Sequence, residues 1–173
     1  MVKLTSIFLL FICAFSGISQ DISNLDEKYG IKKFKLESNY SELQNSLELD
    51  IDGTVRYYKY IGGDVTSIFE TKVKEIILGY YNNQLYYIGI ILDDSSQIYP
   101  DIIYDKLKTL FGEGLMQTNY KKGPLTYKFG YAWETEKTYL AFNEQLPNEV
   151  QSGKTSIWMI SNVLDKKMAE DDF

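Results

Sequence analysis

The sequence predicts an α+β fold, in which one antiparallel sheet carries helices on one of its faces. Several short segments alternate apolar and polar residues with a period of two, which is typical of half-buried strands. Two such segments are separated by Asn82-Asn83, a pair that favours a tight hairpin turn. An apolar stripe at helical spacing follows Pro100 and ends before Gly112, which indicates an amphipathic helix. The expected order is a strand, then a helix and three strands, then a helix and three strands again, and a short terminal helix.

The first half is predicted to begin with a strand and a short helix. The strand covers residues 30–36, where apolar Phe34 and Leu36 alternate with lysines. The helix covers residues 39–47, and it is indicated by a capping-box pair and by two leucines four positions apart. These four residues are Asn39, Glu42, Leu43 and Leu47.

The remaining strands follow from turns and from β-rich runs. A turn at Asp52-Gly53 leads into a strand over residues 54–60, and strands over 72–81 and 84–92 form the hairpin. The second helix covers residues 100–111 and is followed by a loop that contains Gly114, Gly123 and Pro124. The last three strands are predicted at residues 127–133, 138–143 and 155–160.

This order of elements resembles the exported β-lactamase-inhibitor-protein fold, in which helical and antiparallel three-stranded units occur twice. It is more distantly similar to the small outer-membrane assembly lipoproteins of the BamE type. The resemblance spans roughly residues 30–165 and rests on architecture and size, without any shared motif residue. It implies a protein-binding module without catalysis, built as a tandem of two similar units.

The first nineteen residues are predicted to be a cleavable secretion signal. Lys3 supplies a positive charge near the amino terminus, and nine apolar residues follow at positions 7–15. This run is shorter than the about 20 apolar residues that a membrane-spanning helix needs, so no stable membrane span is expected. The small residues Gly17 and Ser19 favour cleavage before Gln20, and cleavage three residues earlier is the alternative. The protein is therefore expected in the periplasm or outside the cell.

The rest of the chain, residues 20–173, is expected to be one acidic domain with its ordered core over about 30–165. Loss of Lys3 with the signal changes the net charge from −6 to −7. Nucleic acid is not an expected partner, because phosphate binding needs clustered Lys and Arg and Arg56 is the only arginine. The domain has no histidine, and Cys13 leaves with the signal. Composition thus excludes catalysis and metal sites based on His or Cys, and no cofactor is expected.

Two short motifs resemble ligand-binding loops, and both are better explained as turns. Residues 153–156 (GKTS) resemble the end of a phosphate-binding loop, but Asn148 stands where that motif needs glycine. Residues 50–53 (DIDG) resemble the start of a calcium loop, but Ile61 stands where the last ligand, a glutamate, is needed. Neither motif predicts a site.

Tyrosine is the unusual feature, with 15 in the chain and several doublets in predicted strands. Because successive strand residues point to opposite faces, each doublet is expected to place one ring on each face. The face expected to form the core collects Ile76, Leu78, Tyr80, Leu85, Tyr87 and Ile91. The other face is expected to be either covered by a helix or exposed, and it collects Ile77, Gly79, Tyr81, Tyr86, Ile88 and Ile90.

If the second face is exposed, its tyrosines form a binding surface. Tyrosine buries a large area at low entropic cost and keeps a polar tip, which suits protein interfaces and sugar stacking. The residues predicted to bind are Tyr81, Tyr86 and, from the Tyr57-Tyr58 doublet, Tyr58. Tyrosine is also simply a good strand residue at half-exposed positions, which is the competing interpretation.

The leading hypothesis for function is an exported, non-enzymatic protein that binds another envelope or secreted protein. One alternative is an envelope hydrolase that uses two carboxylates, which would need a deep cleft and a carboxyl group with a strongly raised pKa. The other is a carrier of a small apolar ligand, which would need an enclosed apolar cavity between the sheet and the helices.

Overall fold

A computed structural model describes residues 22–42, 45–52, 54–93, 100–122, 125–143 and 155–171. The predicted signal and its cleavage site at Ser19 and Gln20 lie outside these residues. None of the helices described is long and apolar enough to span a membrane. The helices are α1 (Ser23–Lys28), α2 (Pro100–Phe111) and α3 (Asn162–Asp171). The strands are β1 (Gly30–Ile31), β2 (Phe34–Lys35), β3 (Ser46–Asp52), β4 (Val55–Tyr60), β5 (Ser67–Ile68), β6 (Thr71–Tyr81), β7 (Gln84–Leu92), β8 (Leu115–Lys122), β9 (Leu125–Glu134), β10 (Thr138–Asn143) and β11 (Ser156–Ser161).

One large antiparallel sheet dominates the domain, so the predicted α+β class is confirmed. Its strand order is β3-β4-β6-β7-β11-β10-β9-β8, and the short β5 pairs with the start of β6. Each half of the chain therefore forms one half of the sheet, and β7 and β11 join the halves at the centre. A separate two-stranded hairpin is formed by β1 and β2.

The strands predicted after residue 50 agree with β4, β6, β7, β9, β10 and β11 to within two residues, and the Asn82-Asn83 turn and the second helix are also confirmed. Asn82 and Asn83 have φ of 47° and 64° and connect β6 to β7, with Tyr81 paired to Gln84, as the two-residue turn requires. Helix α2 begins at the predicted residue and ends before Gly112, whose φ of 83° makes it the left-handed residue that ends the helix.

Other elements were predicted wrongly. Within 39–47, where the sequence predicted a helix, the described residues form a single 3-10 turn (Tyr40–Glu42) and the start of the edge strand β3. Leu47 is 55% exposed there, because pairing with β4 places it on a solvated edge and not in a buried helical stripe. Residues 30–36 form the β1–β2 hairpin around Lys32 (φ 57°), and part of the predicted loop after α2 is the strand β8.

Helices cover both faces of the sheet, and the prediction of helices on one face only is wrong. The first face, here called the α2 face, packs against α1 and α2 through Leu25, Ile103 and Leu107. The opposite face, here called the α3 face, packs against α3 through Leu164 and Met168. Both faces can be apolar because each one has a helix to bury it.

A β-bulge in β7 changes which side chains lie on which face. Gly79 pairs with Tyr87 and Tyr80 pairs with Leu85, so Tyr86 is an extra residue in β7. The extra residue places Tyr86 and Tyr87 together in the core of the α3 face. It also moves Ile88 and Ile90 into the core of the α2 face, opposite to their predicted side. The expectation that each tyrosine doublet divides between the faces is therefore wrong for this pair.

Candidate functional site

The tyrosines predicted to form a binding surface on the α3 face are buried. Tyr81 is 2% exposed and Tyr86 is 1% exposed, because α3 lies over them. The Tyr86 hydroxyl donates a hydrogen bond of 2.7 Å to Asp165 Oδ1, and the Tyr81 hydroxyl donates to Asp171 Oδ2. Burial and the bond to Asp165 raise the pKa of Tyr86 far above its usual value. These two side chains hold α3 on the sheet, and the predicted exposed surface does not exist.

Tyr58, the third predicted residue, lies on the opposite face of the sheet. It is 7% exposed and packs in the core of the α2 face against Tyr40 and Tyr80. The structure therefore does not bring the three predicted residues together in one site.

An apolar cleft opens on the α2 face, between the second half of α2, the β1–β2 hairpin and β5. Its volume is about 230 Å³. Its floor is the sheet, and its wall on one side is α2. The apolar lining consists of Ile31, Ile68, Phe69, Leu107, Leu110, Phe111, Leu140, Ile157 and Met159. Floor residues such as Leu140 and Met159 are 1% exposed, so the cleft reaches down to the core.

Gly30 and two lysines complete the lining, and we call this site the lysine-rimmed cleft. Lys28 is the last residue of α1 and Lys32 is in the β1–β2 turn, and both are exposed. Lys28 Nζ lies 5.6 Å from the centre of the Phe111 ring, over the apolar wall. Neither ammonium group is within ion-pair distance of a described carboxylate, whereas Lys33 in the same turn pairs with Asp64 at 2.7 Å. The two charges are therefore available to an anion at the mouth.

The turn that brings Phe69 to the cleft has an unfavourable backbone. Phe69 and Glu70 connect β5 to β6 with φ of 48° and 68°, the left-handed values that the Asn82-Asn83 turn also has. Such turns strongly prefer Asn and Gly, and a bulky residue there costs on the order of 1–3 kcal/mol. The half-buried Phe69 ring lines the cleft. The backbone is thus strained at Phe69, the residue that shapes the mouth of the lysine-rimmed cleft.

A general acid in carboxylate catalysis needs a raised carboxyl pKa, and the shift of Asp64 has the opposite direction. Its pKa is lowered, because Lys33 and Tyr60 donate hydrogen bonds to its carboxylate. Asp50 and Asp52 of the weak calcium motif lie on β3, and the described part of the chain contains no cluster of metal ligands.

Sequence reasoning did not find the lysine-rimmed cleft, because six separate elements and two turns line it. One feature of the sequence pointed to this region. In residues 67–72 (SIFETK), Phe69-Glu70 stands between two short β-rich runs, at a turn where Asn or Gly would be favoured. Compared with known proteins, the chain matches no family model, no curated protein and no solved structure.

Proposed function

We propose that the protein is an exported, non-enzymatic binding protein that carries a small amphiphilic anion in the lysine-rimmed cleft. The observation that carries this proposal is an apolar cleft that reaches the core and has at its rim two lysines that form no ion pair with a described carboxylate. The carrier hypothesis now ranks above binding of another envelope protein, because the aromatic surface that favoured a protein partner is buried.

The lining of the cleft defines the class of ligand. Apolar residues surround the interior and cations stand only at the mouth, which fits a molecule with an apolar body and an anionic end. A volume of about 230 Å³ lies below the roughly 300–1,000 Å³ of pockets for drug-sized ligands. A short acyl chain that ends in a carboxylate meets both requirements.

Octanoate is expected to bind the wild-type domain and to shift the backbone amide signals of the cleft residues in ¹H–¹⁵N NMR titrations. The neutral alcohol 1-octanol should bind more weakly. Replacing both rim lysines (Lys28→Gln with Lys32→Asn, since Asn accepts the positive φ) should weaken octanoate binding by about threefold to tenfold, because exposed ion pairs contribute up to about 1 kcal/mol each. Lys106→Gln, on the exposed side of α2, is the matched control and should bind like the wild type.

Two turn variants separate the role of the Phe69 ring from the stability of the turn. Phe69→Asn relieves the backbone strain but removes the ring, so octanoate affinity should fall by about tenfold without general unfolding. Glu70→Gly relieves strain beside the cleft and should raise the free energy of unfolding by about 1 kcal/mol with binding unchanged. Equal binding of octanoate and octanol, unaffected by the lysine variants, would contradict anion recognition.

Export is proposed from the predicted signal. Protein recovered outside the cytoplasm should have the intact mass of a chain that begins at Gln20, after loss of the segment that ends at Ser19. Mass spectrometry of the recovered protein measures this directly, and a full-length mass that still includes Met1 would contradict cleavage.

We also propose that the domain is a tandem of two related units, similar in plan to the β-lactamase-inhibitor-protein fold. Support comes from the two halves of the sheet: each is an antiparallel succession of four long strands, and the halves meet through their last strands, β7 and β11. Four strands in each half differ from the three that the sequence predicted, because β3 and β8 were missed.

A further inference from the structure

A second concavity lies beside the Asn82-Asn83 turn and is chemically unlike the lysine-rimmed cleft. Its volume is about 550 Å³. Its lining combines one cation, three aromatic rings and three neutral polar side chains, without a carboxylate. We call it the Arg56 cleft, and its lining residues are Tyr40, Thr54, Arg56, Tyr58, Tyr80, Asn82 and Asn83.

Arg56 is the only arginine in the chain, and its side chain is exposed in this cleft. It lies two residues before Tyr58 on β4, so both side chains project from the same face of the sheet. Burial raises the pKa of Tyr58, and the Arg56 guanidinium acts in the opposite direction through a hydrogen bond to the Tyr58 hydroxyl. No described carboxylate forms an ion pair with Arg56. The planar guanidinium can thus present two parallel N–H donors to an external carboxylate.

The three rings pack together and form an aromatic wall. Tyr40 packs on Tyr58 with ring centres 4.8 Å apart, and it meets Tyr80 edge-on at 5.2 Å. Tyr58 and Tyr80 are almost fully buried, whereas Tyr40 is 36% exposed. The buried pair therefore holds the Tyr40 ring in place, with its accessible part available for stacking against a flat, weakly polar surface.

The neutral side chains complete the chemistry. Asn82 and Asn83 are exposed on the turn between β6 and β7, and Thr54 is exposed beside β4. Amides and hydroxyls both donate and accept hydrogen bonds, so they can pair with the hydroxyl groups of a sugar. The cleft has one guanidinium group, which matches a sugar that carries one carboxylate.

We propose that the Arg56 cleft binds a uronic acid residue of an acidic carbohydrate, with the carboxylate on Arg56 and the sugar ring against Tyr40. An acidic peptide also offers a carboxylate, but it lacks a sugar ring. The C–H groups of such a ring can pack on the aromatic wall, and its hydroxyl groups can bond to Asn82, Asn83 and Thr54. The proposal concerns a site separate from the lysine-rimmed cleft and does not depend on the function proposed for it.

The test uses isothermal titration calorimetry of the domain with two uronate ligands, tetragalacturonate and a glucuronate-containing tetrasaccharide. At least one should bind, and its methyl ester, which lacks the charge, should bind about tenfold or more weakly. Arg56→Met and Tyr40→Ala should each weaken binding by about tenfold, and Arg56→Lys should restore only part of the loss, because the planar fork is missing. Lys59→Met is the matched control, since it removes a cation from the opposite face of β4.

Circular dichroism and thermal unfolding of each variant establish that the fold is retained. NMR shifts confined to the cleft residues, and unchanged by saturating octanoate, would support a separate site. The proposal is overturned if neither uronate binds, if Arg56→Met and Lys59→Met have equal effects, or if a glutamate-rich peptide binds with the same affinity and the same dependence on Arg56.

Discussion

Replacing Tyr86 by alanine is expected to lower the free energy of unfolding by about 3–5 kcal/mol, as for large aromatic side chains truncated in cores. The ring is 1% exposed between the sheet and α3, and its hydroxyl donates to Asp165. The variant therefore creates a cavity and also leaves that carboxylate without its donor. Urea unfolding followed by circular dichroism measures the loss.

Two further variants separate the contribution of the Tyr86 hydrogen bond from that of the buried ring. Tyr86→Phe keeps the ring and removes only the hydrogen bond, so it should cost about 1–2 kcal/mol, because Asp165 is half-buried and can regain water. Tyr40→Ala removes a ring that is 36% exposed and should cost less than Tyr86→Ala. If Tyr86→Ala is as stable as the wild type, α3 does not cover this face. The Tyr86 ring would then be exposed, as the binding-surface hypothesis requires.

Alkaline pH should destabilise the domain steeply. Burial raises the pKa of Tyr29, Tyr86 and Tyr87, with hydrogen bonds to Glu37 and Asp165 adding to the first two shifts. A group whose pKa is higher in the folded state gives stability that is full below the unfolded pKa of about 10 and is lost as pH rises from there toward the folded pKa. Each such tyrosine should lower the free energy of unfolding by about 1.4 kcal/mol per pH unit in that window.

Urea unfolding at pH values from 8 to about 12 tests this dependence. The stability should be nearly flat up to pH 9 and should then fall with a slope of about 4 kcal/mol per pH unit for the three tyrosines together. Tyr86→Phe should reduce the slope by about one third. A stability that stays constant to pH 12 would show that these hydroxyls ionise as easily in the folded chain as in the unfolded one.

Local signals were sufficient where one stretch of chain determines its own structure. The Asn82-Asn83 hairpin and α2 are such cases, because turn chemistry and capping act within a few residues. The strand β3 was not predictable in this way. Leu43 and Leu47 have helical spacing, but pairing with β4 decides the conformation of Leu47, and that partner is a tertiary contact.

The assignment of tyrosines to faces failed for a different reason. Alternation is a reliable guide only while the register is regular, and the single extra residue at Tyr86 inverts it for the rest of β7. The sequence around Tyr86 carries no marker of a bulge, such as glycine at the bulged position. The lysine-rimmed cleft could not be predicted from the sequence, because Lys28, Phe69 and Leu107 come together only when α1, the β5–β6 turn and α2 are packed.

The pairing of β7 with β11 at the centre of the sheet also governs the order in which the domain can assemble. All but the first residue of β7 is buried in the finished sheet, and its neighbour β11 is the last strand of the chain. During synthesis the first half alone would leave β7 as an open, apolar edge, the kind of edge that pairs with other chains. Closing it requires contacts of high sequence separation, which form slowly. The domain therefore acquires its protected core only when its final strand arrives, and a chain held unfolded until it is complete avoids the exposed intermediate.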